Sequence, residues 1–227
     1  MHTISRLSIG VCAVLGAGYS SLIQAEARTY SDQAAFEAAL PAKPLVLDFD
    51  KLSAGTTIAD ASTTEGITFS YDFEGLRMKI AQLYSTTSAP NFLGTNDGGV
   101  FHDGDDFSLS FLPGNAVGLH FISADPLIDG DLTVTAAGVT ASLIVDDVQQ
   151  TLPDGSRVYF LGIIDDQAPF EKANIIALAG GFFLYNVDDI ITLPAQVAEA
   201  ASADNGVVSS HQPQLAAEQT KSGAVDR

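Results

Sequence analysis

From residue 45 onward the apolar positions either alternate with polar ones or gather in short runs. The segments are LVLDFD (45–50), GITFSY (66–71), LRMKIAQLY (76–84), FSLSFL (107–112), AVGLHFI (116–122), DLTVTAA (131–137), ASLIVDD (141–147), RVYFLGII (157–164), NIIALA (174–179) and FFLYNVDDIITL (182–193). They are rich in β-branched and aromatic residues, and several keep a period of two, which predicts strands. Turn signals separate them: Pro113-Gly114-Asn115, Asp129-Gly130, Pro153-Asp154-Gly155 and Gly180-Gly181. The one helical pattern is YSDQAAFEAAL (30–40), where Ser31 caps, alanines favour the helix, and Phe36 and Leu40 anchor it. Pro41 and Pro44 stop it. About ten strands with no helix between them predict an all-β, antiparallel sandwich or barrel. Continuous apolar runs suit strands buried on both faces, and alternating ones suit strands with a wet face.

The two ends of the chain have a different pattern. Residues 1–27 hold one basic residue, Arg6, then the apolar run LSIGVCAVLGAGYSSLI, then Ala25-Glu26-Ala27. That layout predicts a signal peptide with an A-x-A cleavage site, too short in its apolar part to span a bilayer. The expected address is secreted: extracellular, or periplasmic in a host with an outer membrane. The single cysteine, Cys12, falls inside this leader. The mature chain is thus expected to fold without disulfides. Residues 28–195 read as one β-sandwich domain. Residues 196–227 shift to Ala, Ser, Gln, Glu and Asn with no aromatic residue, so a disordered tail is expected there.

Charge narrows the partners. The chain has 28 Asp plus Glu against 10 Lys plus Arg, and Asp supplies 21 of the 28. Nucleic acid and anionic membrane both demand cationic surface, so neither is an expected partner, and the mature chain is expected to have no membrane span. Acidity suits multivalent cations, and it equally suits simple solubility.

The order of the motifs carries a resemblance. S-D-x-A-A-F-x-A-A-L (31–40) is followed by D-F-D-x-L-x-x-G-T (48–56) and G-I-T-F-S (66–70). A-V-G-L-x-F (116–121), F-L-G-I (160–163) and an F-x-V-D-D-I-type strand (185–190) come later. The chain resembles exported PEP-CTERM-type bacterial β-sandwich proteins and, more distantly, jelly-roll carbohydrate-binding modules, over about residues 29–193. The resemblance implies a jelly-roll-like sandwich in extracellular polysaccharide or matrix. It also implies a structural calcium between first and last strands, carried here by Asp48, Asp50, Asp188 and Asp189. The chain departs from the pattern in having no Pro-Glu-Pro motif near residue 227 and no tryptophan. Only Tyr71, Tyr84, Tyr159 and Tyr185 are left to present an aromatic face to a sugar.

Asp48 and Asp50, two apart, would share one face of a strand, whereas the adjacent Asp188 and Asp189 would point to opposite faces. The loop NDGGVFHDGDD (96–106) is neither an EF-hand loop nor a repeated calcium motif. Its glycines and aspartates suit a solvated turn, and equally a ligand-facing rim in which Asn96, Asp97, His102, Asp103 and Asp105 offer polar groups. With Tyr71 and Tyr84 these form the candidate ligand set. His120, in GLHFI, reads as a packed or edge histidine. No G-x-S-x-G elbow appears, and no glutamate pair lies in a catalytic motif. The expected function is non-catalytic binding of extracellular glycan or matrix material. A structural matrix or biofilm component is the alternative, and a secreted hydrolase the third reading.

Overall fold

The computed structural model describes residues 27–195. The expected leader, apart from Ala27, and the expected tail lie outside them. The described residues form fifteen strands and one helix, and every strand pair is antiparallel. In chain order these are β1 (Arg28–Tyr30), α1 (Gln33–Ala39), β2 (Leu45–Leu47), β3 (Thr57–Ile58), β4 (Ser62–Thr64), β5 (Ile67–Tyr71), β6 (Met78–Ala81) and β7 (Phe92–Thr95). After them come β8 (Phe101–His102), β9 (Phe107–Ser123), β10 (Leu132–Ala136), β11 (Val139–Ser142), β12 (Gln150–Thr151), β13 (Arg157–Ile164), β14 (Phe170–Ala177) and β15 (Leu184–Pro194). The all-β, sandwich-like class expected from the pattern is the class observed. The count exceeds ten because six strands have only two or three residues.

β9 organises the whole. The sequence breaks at Pro113-Gly114-Asn115, which predicts two strands and a turn. The structure instead runs one strand of 17 residues through that point. Its first half pairs with β14 and β5, and its second half with β13 and β15. Leu112 and Pro113 are exposed at the change of partner, where a proline without an N–H and a flexible glycine let the strand turn a corner. The two sheets are therefore halves of one ladder folded over a common core. That core holds Phe69, Phe101, Leu109, Leu119, Phe121, Leu161, Ile175 and Val187, each 0–1% exposed.

The helix is where the pattern put it, though Asp32 rather than Ser31 is its cap. Asp32 Oδ1 accepts from Ala35 N at 2.6 Å, while the Ser31 hydroxyl donates to Asp147. Phe36 drops from the helix onto Gly118 and Gly162, which face each other across β9 and β13. A Cβ on Gly162 would sit 2.6 Å from Phe36 Cδ2, so the glycine pair makes the seat for the ring. Phe36 completes a second, smaller core with Ala116, Phe160, Ile164, Ile191 and Leu193 on the outer face of the sheet.

Candidate functional site

The alternation of side chains along three adjacent strands builds the site. On β9 and β13 the odd-numbered residues Leu119, Phe121, Tyr159 and Leu161 enter the main core. His120, Ile122, Val158 and Phe160 therefore stand on the opposite, outer face. On β15, Tyr185 and Val187 point inward, which sends Asn186 and Asp188 outward. Cross-strand rows follow: Val158, Ile122 and Asn186 form one, Phe160, His120 and Asp188 the next. Helix α1 covers one end of this face, the segment 86–88 one side, and Gln149 and Gln150 the other.

A β-bulge completes the arrangement. Between Asp188 and Ile191 the register of β15 against β9 slips by one residue, and Asp189 takes a left-handed φ of 48°. Beyond it the inward position is Ile190, an even number. The adjacent carboxylates therefore share one side, contrary to the expectation for a regular strand. Asp188 is fully buried. It accepts from the hydroxyls of Thr86, Thr87 (2.9 Å) and Ser88 (3.1 Å), and from Ser88 N at 3.0 Å. Burial and the neighbouring Asp189 carboxylate push its pKa up to about 6, against the pull of those donors. At Asp189 burial acts upward too, but donors from His120, Thr87 and Ser88 outweigh it and hold the carboxyl below the usual range. His120, 3% exposed, has Nδ1 3.4 Å from Asp189 Oδ2, longer than a good hydrogen bond. Its Nε2 lies 3.0 Å from Gln33 Oε1 at the start of α1.

Above these groups lies an open groove of about 450 Å³, walled by Asp32, Gln33, Thr87, His120, Gln150 and Asp189 with Val158 at its base. No lysine or arginine lines it. A second hollow of about 130 Å³ adjoins it across the Val158–Ile122–Asn186 row, and Tyr84, 47% exposed, stands at its edge.

The expected site residues are dispersed. Asp48 and Asp50 lie past the end of β2 in a turn, not on a strand face. Asp48 Oδ1 accepts from Asp50 N, Asp50 Oδ1 accepts from Asn91 N at 3.0 Å, and Phe49 between them has a φ of 59°. The strand expected to come first, β2, does meet β15, through Ile190 opposite Leu47. Yet among the described residues no group of three or more His, Cys, Asp or Glu side chains is gathered to hold a metal ion. Asp188 and Asp189 sit instead on the outer face beside His120.

Tyr71 is half-buried and structural: it stacks on Phe73, and its hydroxyl donates to Ile58 O at 2.6 Å. Tyr159 and Tyr185 are buried in the core, so of the four tyrosines considered Tyr84 alone presents a ring to water.

The loop 96–106 is fastened by one short strand and by its own polar side chains. Phe101 is fully buried and forms β8 with His102 against β15. Asn96 Oδ1 accepts from Arg77 N, Asp105 Oδ2 from His102 N, and Asp103 Oδ2 from Gly180 N, all loop-fastening bonds. Burial raises the Asp105 carboxyl, whereas amides of residues 180–182 lower that of Asp103. Asp97 and His102 approach to 3.7 Å at the exposed rim.

The groove residues Gln33, Thr87 and Gln150 were not singled out by the sequence, and His120 was read there only as a packed or edge histidine. No family model matches the chain, and no curated protein matches it either.

Proposed function

We propose that this is a secreted, non-catalytic protein that binds extracellular glycan in the groove across β13, β9 and β15. The observation that carries the reading is the groove lining itself. Planar amide, imidazole and carboxylate groups line the groove, a combination that suits paired sugar hydroxyls. Tyr84 at the adjoining hollow supplies an aromatic surface for a further ring. The absence of cationic side chains from the lining disfavours uronate-rich or sulfated polymers and favours neutral or amino sugars.

A glycan array probed with the full-length chain tests this. Binding to neutral or amino polysaccharides is expected, weakened roughly tenfold or more in a Gln33→Ala/Gln150→Ala variant of unchanged melting temperature. Silence across the array would overturn the reading and favour a structural matrix component. The His120–Asp189 contact supports a second reading, a hydrolase with an acid–base pair. Burial of the imidazole and its capping by Gln33 count against it. Release of shortened sugars from a bound glycan, abolished in His120→Gln, would favour that second reading.

A further inference from the structure

Loops meet at one end of the sandwich and are tied together by backbone bonds. Leu178 N donates to Asp131 O at 2.8 Å, and Gly130 N to Leu143 O at 2.9 Å. Asp103 N donates to Phe183 O at 3.1 Å, which brings the loop 102–106 to the same place. These loops expose Ile128 (65%), Ile144 (46%), Leu178 (56%) and Phe182 (90%). Phe182 also has a φ of 55°, a left-handed conformation disfavoured for a bulky side chain. A phenylalanine held outward in a disfavoured backbone conformation gains nothing for an isolated domain, and clustered exposed apolar side chains mark interaction sites.

The surrounding charge says what kind of partner fits. Residues 124–131, 143–149 and 178–184 contain no lysine or arginine. Asp103, Asp125, Asp129 and Asp131 fasten the loops by accepting from Gly180 N, Leu184 N, Val145 N and Ile128 N. None of the four forms an ion pair among the described residues. Asp131 is 3% exposed, and its Oδ1 has no hydrogen-bond partner among the described residues. The apolar centre is thus set among uncompensated carboxylates.

We propose that this end of the sandwich docks a protein partner that presents an apolar centre rimmed by lysine and arginine. A second copy would bring the same carboxylates face to face on a chain of net charge −18. A lipid surface with anionic headgroups would repel them as well. The proposal is separate from the glycan reading, because it needs a different ligand class and the apolar side chains Ile128 and Phe182, although Asp125 also lines the hollow beside Tyr84.

The test uses the full-length chain and a synthetic amphipathic helical peptide with one leucine face and one lysine face, titrated at about 150 mM salt to screen non-specific attraction. Binding is expected. It should weaken roughly tenfold or more in Phe182→Asn/Ile128→Ser, which leaves the charge unchanged. The melting temperature of that variant should equal or exceed the parent's, since both side chains are exposed and asparagine tolerates the left-handed φ at 182. A peptide whose leucines are replaced by serine should bind the parent no better than the intact peptide binds the variant. Equal affinity of parent and variant would overturn the proposal, since net charge alone would then explain capture. So would an absence of binding, Phe182-dependent binding to phosphatidylcholine vesicles, or concentration-dependent dimerisation that the variant abolishes.

Discussion

At Asp188 three hydroxyls and a backbone amide converge on a carboxyl that burial and Asp189 push up to about 6. Its folded value exceeds the unfolded one near 3.8. The stability it contributes is therefore full below the unfolded value and is lost as pH rises through 6. Asp189 runs the other way: held low in the fold, it contributes above 3.8 and loses that contribution in stronger acid. Of this pair, only Asp188 acts between pH 7.5 and 4.5, an effect worth about 2 kcal/mol. Acidification over that range should thus raise the melting temperature of the parent by about 4–8 °C relative to Asp188→Asn. The comparison removes the general relief of negative charge, which both proteins share. Parallel curves of melting temperature against pH would exclude the assignment. The aspartate pair was visible in the sequence, but its shared side was not. A single left-handed residue reverses the facing of everything after it, and period-two reasoning assumes no such residue.

At the scale of elements, the docking of α1 links core packing to the groove. Phe36 seats the helix on the Gly118–Gly162 pair, and the helix then holds Gln33 against His120. A methyl group on Gly162 would overlap the ring, so Gly162→Ala should lower stability by about 1–3 kcal/mol in urea unfolding. Phe36→Ala should cost about 3–5 kcal/mol by leaving a cavity in the outer core. Both should weaken glycan binding beyond what their stability loss explains, because Gln33 loses its support. Unchanged affinity in a folded Gly162→Ala protein would separate the helix from the site. Strand segments such as RVYFLGII were legible because burial on both faces leaves an unbroken apolar run. The continuity of β9 was not. Pro113-Gly114 has the composition of a turn, and only the pairing of β14 and β5 before it and β13 and β15 after it reveals a corner.

For the whole molecule, stability without a disulfide was expected to draw on calcium between the first and last strands. The structure offers another source. β1 pairs with β13, and β2 with β15, so the beginning of the described chain is already woven into its later strands. Asp48, Asp50 and Asp188 accept protein donors rather than converging on a common point. Excess EGTA separates the two sources: an unchanged melting temperature would leave strand pairing as the whole account. A fall reversed by calcium would restore the ion to the account. The sandwich class was readable from alternation and turn spacing, since both are local. The groove was not, because it is assembled from residues 33, 87, 120, 150 and 189, which only long-range pairing brings together.

The position of β15 sets the order in which the molecule can be completed. This last strand pairs with β2, β7, β8 and β9, which span residues 45–123. During synthesis those four strands must wait for residues 184–194 before their ladders close. The emerging polypeptide therefore cannot mature domain-fashion from its beginning. These ladders stay open until β15 has been made, then close in a step dominated by distant pairings, which are slow to form.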